Sequence, residues 1–163
     1  MALTNHERVG KVLDLLAKGL RPFIERSMKA SLGDGWQESA GPAIEGEGAK
    51  KRRDDPLRDV QNLLKLMWDQ WQPVFGKILG HMERSLVSEL RDTRNRWAHQ
   101  ETFSTDDAHR ALDSAHRLLQ AISAAEEAQD ENDERRNDER QRTEPARIEV
   151  SDRGSWRRHD RGE

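Results

Sequence analysis

The sequence contains no cysteine, which excludes disulfides, thiolate metal ligands and thiol nucleophiles. No apolar run approaches the ~18 residues that a membrane span needs, and charge appears as early as Glu7 and Arg8. The expectation is a cytoplasmic, unexported protein. No stretch alternates apolar and polar residues with period two, so strands are not expected. Nor is there a large excess of one charge: the formal net charge is -3, so contact with nucleic acid needs a local basic patch. Apolar residues are scarce, at 33% against 36% charged. Globular chains carry about 25% charge. The 163 residues therefore have room for one compact core, and the surplus charge belongs on solvated helices or in a tail.

What is present is helical. Val9, Val12, Leu13, Leu16, Leu20, Phe23 and Ile24 recur at steps of three and four, and Thr4 with Glu7 forms a capping box at the start of that segment. Pro22 lacks the amide that residue 18 would bond, so a bend or restart is expected near Gly19 to Pro22, giving a helix pair, collinear or kinked. Asp55-Pro56 reads as an N-cap followed by a first helical residue, with Val60, Leu63, Leu64, Met67, Trp68 and Trp71 as the buried stripe and Pro73 as the stop. Glu83 to His99 is a further helix with Leu86, Val87, Leu90 and Trp97 inward. Ser104 and Asp107 cap a last one lined by Ala108, Ala111, Leu112, Ala115, Leu118, Leu119 and Ile122. The fold expected is an all-α bundle of four to five helices.

Two segments fall outside this pattern. Residues 33–55 hold five of the eleven glycines, Pro42 and the run Lys50-Lys51-Arg52-Arg53, and read as a long flexible loop. Residues 126–163 hold 9 basic and 13 acidic side chains with almost nothing apolar, so they cannot bury enough surface to offset their ordering entropy. The domain organisation expected is a helical domain over 1–125 and a charged tail over 126–163, helical at first and then disordered.

The chemistry-bearing segment is Arg91-Asp-Thr-Arg94-Asn95-Arg96-Trp97-Ala98-His99. On a helix Asn95 and His99 lie one above the other, with Arg94 and Arg91 on an adjoining face. Transesterification of RNA needs a base for the 2′-hydroxyl proton, a cation on the phosphoryl oxygens and an acid for the leaving 5′-oxygen. These side chains meet those needs without a metal or other cofactor. A structural role fits the same spacing: Arg94 paired with Asp92 or Glu89, and His99 closing a helix end where the macrodipole favours a cation.

The run RNRWAH, preceded by SLVSELRDT and followed by QETFSTDDAHRAL, resembles the Arg-Asn-x-x-x-His signature of the HEPN superfamily. More narrowly, it resembles the subgroup shared by a eukaryotic nuclear mRNA-surveillance endoribonuclease and bacterial phage-defence proteins. The resemblance spans about residues 5–125 and includes PFIER from Pro22 and DVQNLLKLMWDQW from Asp59. It implies a helical bundle that dimerises so that two Arg/His motifs face one cleft, and metal-independent cleavage of single-stranded RNA in active members. It gives Arg94 the phosphoryl charge, His99 the proton transfer, and Asn95 the orienting of His99 or the scissile phosphate. Many members are instead non-catalytic and bind RNA, nucleotides or partners, so a module docking a defence ATPase, or a toxin held by an antitoxin, belongs to the same expectation.

The other candidates read as structural. Trp68 and Trp71, beside Leu64 and Met67, fit a core or a dimer interface better than base stacking. Lys50 to Arg53 lie next to Asp54 and Asp55 and fit a solvated loop. His6, His81, His109, His116 and His159 lack metal-ligand spacing with acids, and Asp107 is a cap before it is a ligand.

Overall fold

In the computed structural model, residues 2–44 and 55–143 are described, without the side chains of Ser39 and residues 42–44. Five α-helices form: α1 Asn5–Leu32, α2 Trp36–Ile44, α3 Val60–Asp69, α4 His81–Ala98 and α5 Thr105–Thr143. Single 3-10 turns at Pro56–Arg58 and Phe75–Lys77 precede α3 and α4. The described residues include no strand, and the all-α expectation holds.

The capping box of α1 forms as the sequence indicates: Thr4 accepts from the Glu7 amide, and Glu7 accepts from the Thr4 amide at 2.7 Å. The restart expected at Pro22 does not occur: α1 is one continuous helix of 28 residues with Pro22 inside it. A proline inside a helix costs about 3 kcal/mol. The stripe on either side of it, Leu16, Leu20, Phe23, Ile24 and Met28, is fully buried, and each such side chain returns about 1.5–3 kcal/mol. Burial wins. Helix α1 ends where Gly33 takes φ 81°, a conformation that favours glycine, and donates its amide to the Lys29 carbonyl.

Residues 33–55 are not loop throughout, as expected from the glycines. They contain α2, anchored by Trp36 and Ala40, which are four residues apart on one face and both buried. Lys50 to Arg53 lie outside the described residues. The start of the next helix also differs from expectation. Asp55 caps only the 3-10 turn, through the Leu57 amide, while Asp59 caps α3 through the Gln61 amide at 2.9 Å. Helix α3 stops at Asp69, four residues before Pro73, and Trp71, Val74 and Phe75 fold back into the core from the turn that follows.

Helix α3 is central, packed against α1, α2 and α4. Asp59 meets Arg94 and Trp68 meets Arg84, so α4 runs antiparallel to α3. Glu89 meets Arg110 and Arg96 meets Asp107, so α5 runs antiparallel to α4. The chain divides into two compact units, residues 1–129 and 130–163. In the second, the described residues 130–143 form the last part of α5; all are exposed, with ion pairs Arg135–Glu131 and Arg136–Asp133. No helix among the described residues is long and apolar enough to cross a membrane.

Candidate functional site

The Arg-Asn-x-x-x-His segment occupies the C-terminal end of α4 and the residue that closes it. Leu86, Val87 and Leu90 seat α4 on the core, and Thr93 is buried one residue before Arg94. The last regular helical bond runs from the His99 amide to the Asn95 carbonyl at 3.0 Å. The chain then reverses. Gln100 takes φ 56°, and two bonds close the helix end: Gln100 N–H to the Trp97 carbonyl at 3.1 Å and Glu101 N–H to the Arg96 carbonyl at 3.0 Å. This is a Schellman motif with glutamine where glycine is usual.

Arg94 is half-buried, and its Nη2 donates to Asp59 Oδ2 at 3.4 Å. Sequence reasoning offered Asp92 or Glu89 as its acid; the structure places both elsewhere. Glu89 receives Arg110 at 2.6 Å and the Ser114 hydroxyl at 3.1 Å, chiefly the former holding its carboxyl below the ordinary range. Asp92 is exposed. A side-chain pair with the acid half exposed is worth about 0–1 kcal/mol, and a guanidinium has five N–H groups, so Arg94 remains open to a phosphate.

Asn95 and His99 are exposed, and neither side chain makes a hydrogen bond among the described residues. Arg94 and His99 are five residues apart, which sets them about 140° apart round the helix. The structure thus keeps Asn95 and His99 on one face and sets Arg94 to the side, tied to α3.

Neighbouring side chains hold this helix end. Arg96 binds Glu101 at 3.2 Å, the Thr102 carbonyl at 3.4 Å and Asp107 at 3.5 Å, and lies over the Phe103 ring. Asp107 also accepts from the Ser104 amide, and Ser104 from the Asp107 amide, as the expected cap requires. The Ser104 amide first, then the Ser104 hydroxyl and Arg96, hold the Asp107 carboxyl below its ordinary range. Trp97 stacks on His6 at 5.4 Å and 16°, and its Nε1 donates to the His6 carbonyl at 3.2 Å. His6 Nε2 lies 3.0 Å from the Trp97 carbonyl, which can only accept, so that nitrogen carries the proton. Gly10 lets this indole approach: a Cβ there would stand 3.1 Å from Trp97 Nε1.

Sequence reasoning missed Asp59 as the partner of Arg94 and His6 as the partner of Trp97. Both lie far away in sequence, and helical periodicity carries no signal for contacts between helices. Trp71 is buried, whereas Trp68 is half-buried beneath Arg84 and Arg91. His109 and His116 are exposed on α5, and no group of three or more His, Asp or Glu among the described residues is placed to hold a metal. His159 and Trp156 lie outside the described residues. A shallow groove lined by His116, Leu119, Gln120 and Ser123 lies along α5 and includes none of the motif residues.

Residues 11–123 match the family model described as Swt1-like HEPN. No curated protein and no solved structure matches the chain. The match covers more than half of the sequence and contains the whole Arg94-to-His99 segment, and the chain belongs to the Swt1-like HEPN family.

Proposed function

We propose that this chain is a metal-independent endoribonuclease module of bacterial defence or toxin type, cleaving single-stranded RNA by attack of the 2′-hydroxyl. The observation that carries the reading is the Arg94-Asn95-x-x-x-His99 sequence at a helix end, with the Asn95 and His99 side chains exposed and without hydrogen bonds among the described residues. His99 takes the 2′-hydroxyl proton, the 2′-oxygen bonds to phosphorus, and the P–O5′ bond breaks with a proton returned to the 5′-oxygen by the second copy's imidazole. Arg94 neutralises the charge that builds on the phosphoryl oxygens, and Asn95 orients the imidazole or the phosphate. The products are a 2′,3′-cyclic phosphate and a 5′-hydroxyl. Because Arg94 and His99 diverge in one copy, a homodimer supplies the complete set.

The test is incubation with single-stranded RNA in EDTA beside an oligonucleotide of the same sequence carrying 2′-deoxyribose. Cleavage of the RNA alone, with cyclic-phosphate ends, is the expected result. Cleavage of the deoxy strand, or a requirement for divalent metal, contradicts it.

A second reading is a non-catalytic interaction module that dimerises or docks a defence ATPase or antitoxin. The Asp59–Arg94 ion pair favours it, because it already occupies one edge of the guanidinium. Intact RNA at all protein concentrations, with partner capture lost on mutation of the α4 surface, selects this reading.

A further inference from the structure

The face of α4 that carries Asn95 and His99 holds further cations which the proposed chemistry does not use. Arg84 and Arg91 are seven residues apart, two turns and about 10 Å along the helix. Both guanidiniums lie over the Trp68 indole, at 4.7 and 5.3 Å from its centroid. Neither has a carboxylate partner among the described residues, and Arg84 Nε is buried without a hydrogen bond.

The acids nearby are committed elsewhere. Asp69 receives Lys65 at 2.8 Å, Glu83 receives the Gly80 amide at 2.9 Å, and Glu89 is turned to Arg110 on α5. Asp92 points about 100° round the helix from Arg91. The stripe Arg84, Arg91, Arg94 therefore includes one carboxylate contact, Asp59 on Arg94, in a chain whose net charge is -3. A guanidinium stacked on an indole keeps its plane fixed while its N–H edge stays available, which suits a phosphate oxygen. Repeated cations suit a single strand, whose phosphates repeat, and Trp68 beneath the two guanidiniums holds them in place rather than taking a base.

We propose that Arg84, Arg91 and Trp68 form a phosphodiester-binding track, which holds single-stranded RNA along α4 and leads it to Arg94 and His99. The track spans about 22 Å from Arg84 to His99. It rests on RNA being the ligand of this surface but not on cleavage.

The test uses the full chain and a 2′-O-methyl single strand of about 12 nucleotides, within the range of single-strand site sizes. This probe cannot undergo transesterification, so binding is read apart from catalysis by fluorescence anisotropy across a salt series. R84Q/R91Q should bind about tenfold or more weakly, with the slope of log K against log salt reduced by about 1.4, about 0.7 for each lost phosphate contact. R117Q, on the exposed side of α5, should bind within about twofold of wild type. Because Arg84 Nε is buried, R91Q alone is measured as well; it should weaken binding and reduce the slope by about 0.7.

Unchanged binding and slope in a folded R91Q protein, or no binding by wild type, overturns the track. Binding to poly-glutamate as tight as to the oligonucleotide assigns the surface to acidic protein and also overturns it. Wild-type binding of the probe with no cleavage of unmodified RNA removes the nuclease reading and leaves the track standing.

Discussion

Gln100 holds a left-handed conformation one residue beyond His99. A residue other than glycine costs about 1–2 kcal/mol there, against about 0.5–1 kcal/mol of extra chain entropy for glycine. Gln100→Gly should therefore stabilise the domain by about 0.5–1 kcal/mol in urea unfolding. A loss of similar size would show that the glutamine side chain has a role of its own. The site residues were only partly legible at this scale. Arg94, Asn95 and His99 are visible because the run RNRWAH is local. The acid on Arg94 is not, because both expected candidates lie on α4 and the actual one, Asp59, lies across the interface at the cap of α3. Asp92 is two residues from Arg94 and does not face it on a helix.

Among the elements, the caps at Thr4 and Ser104 formed where the sequence placed them, the cap of α3 fell on Asp59 instead of Asp55, and continuity was read poorly. The reciprocal Ser104–Asp107 bonds at the start of α5 formed as the sequence indicated, and Ser104→Ala should cost about 1 kcal/mol in urea unfolding. No change would mean that Arg96 alone secures that turn. Pro22 and the glycines at 33–41 misled because local breaking signals compete with burial. Leu20, Phe23 and Ile24 carried α1 through the proline, while Trp36 and Ala40 anchored a helix among glycines. The α4–α5 contact also sets an acid response. Arg110 and Ser114 lower the Glu89 carboxyl below the ordinary value of 4.5. Its contribution to stability is thus present above pH 4.5 and is lost as pH falls through the lowered folded value. Glu89→Gln should flatten the decline in stability between about pH 5 and 3, measured by urea midpoints across that range. An unchanged decline would assign it to other carboxylates.

At the scale of the whole molecule, helical periodicity and the absence of alternation made the all-α class legible, and the wider frame around RNRWAH made the family legible. The proposed pairing of two copies was not, since no residue pattern in one chain specifies a second. The proposed chemistry requires that second copy, and sedimentation at tens of micromolar, about the range where weak association shows, should report a dimer. Because both imidazoles act in the proposed chemistry, a dimer with His99→Ala in one copy should lose about as much cleavage as the doubly substituted dimer, measured on mixed and separately tagged copies. Arg94 and His99 are the residues proposed to cut RNA. The most direct test is end-labelled single-stranded RNA in EDTA, with wild type compared against folded Arg94→Ala and His99→Ala. Wild type should cleave, and each variant should lose about a hundredfold or more, the scale of general acid-base and charge-stabilising groups. Cleavage by His99→Ala at the wild-type rate would contradict the proposal.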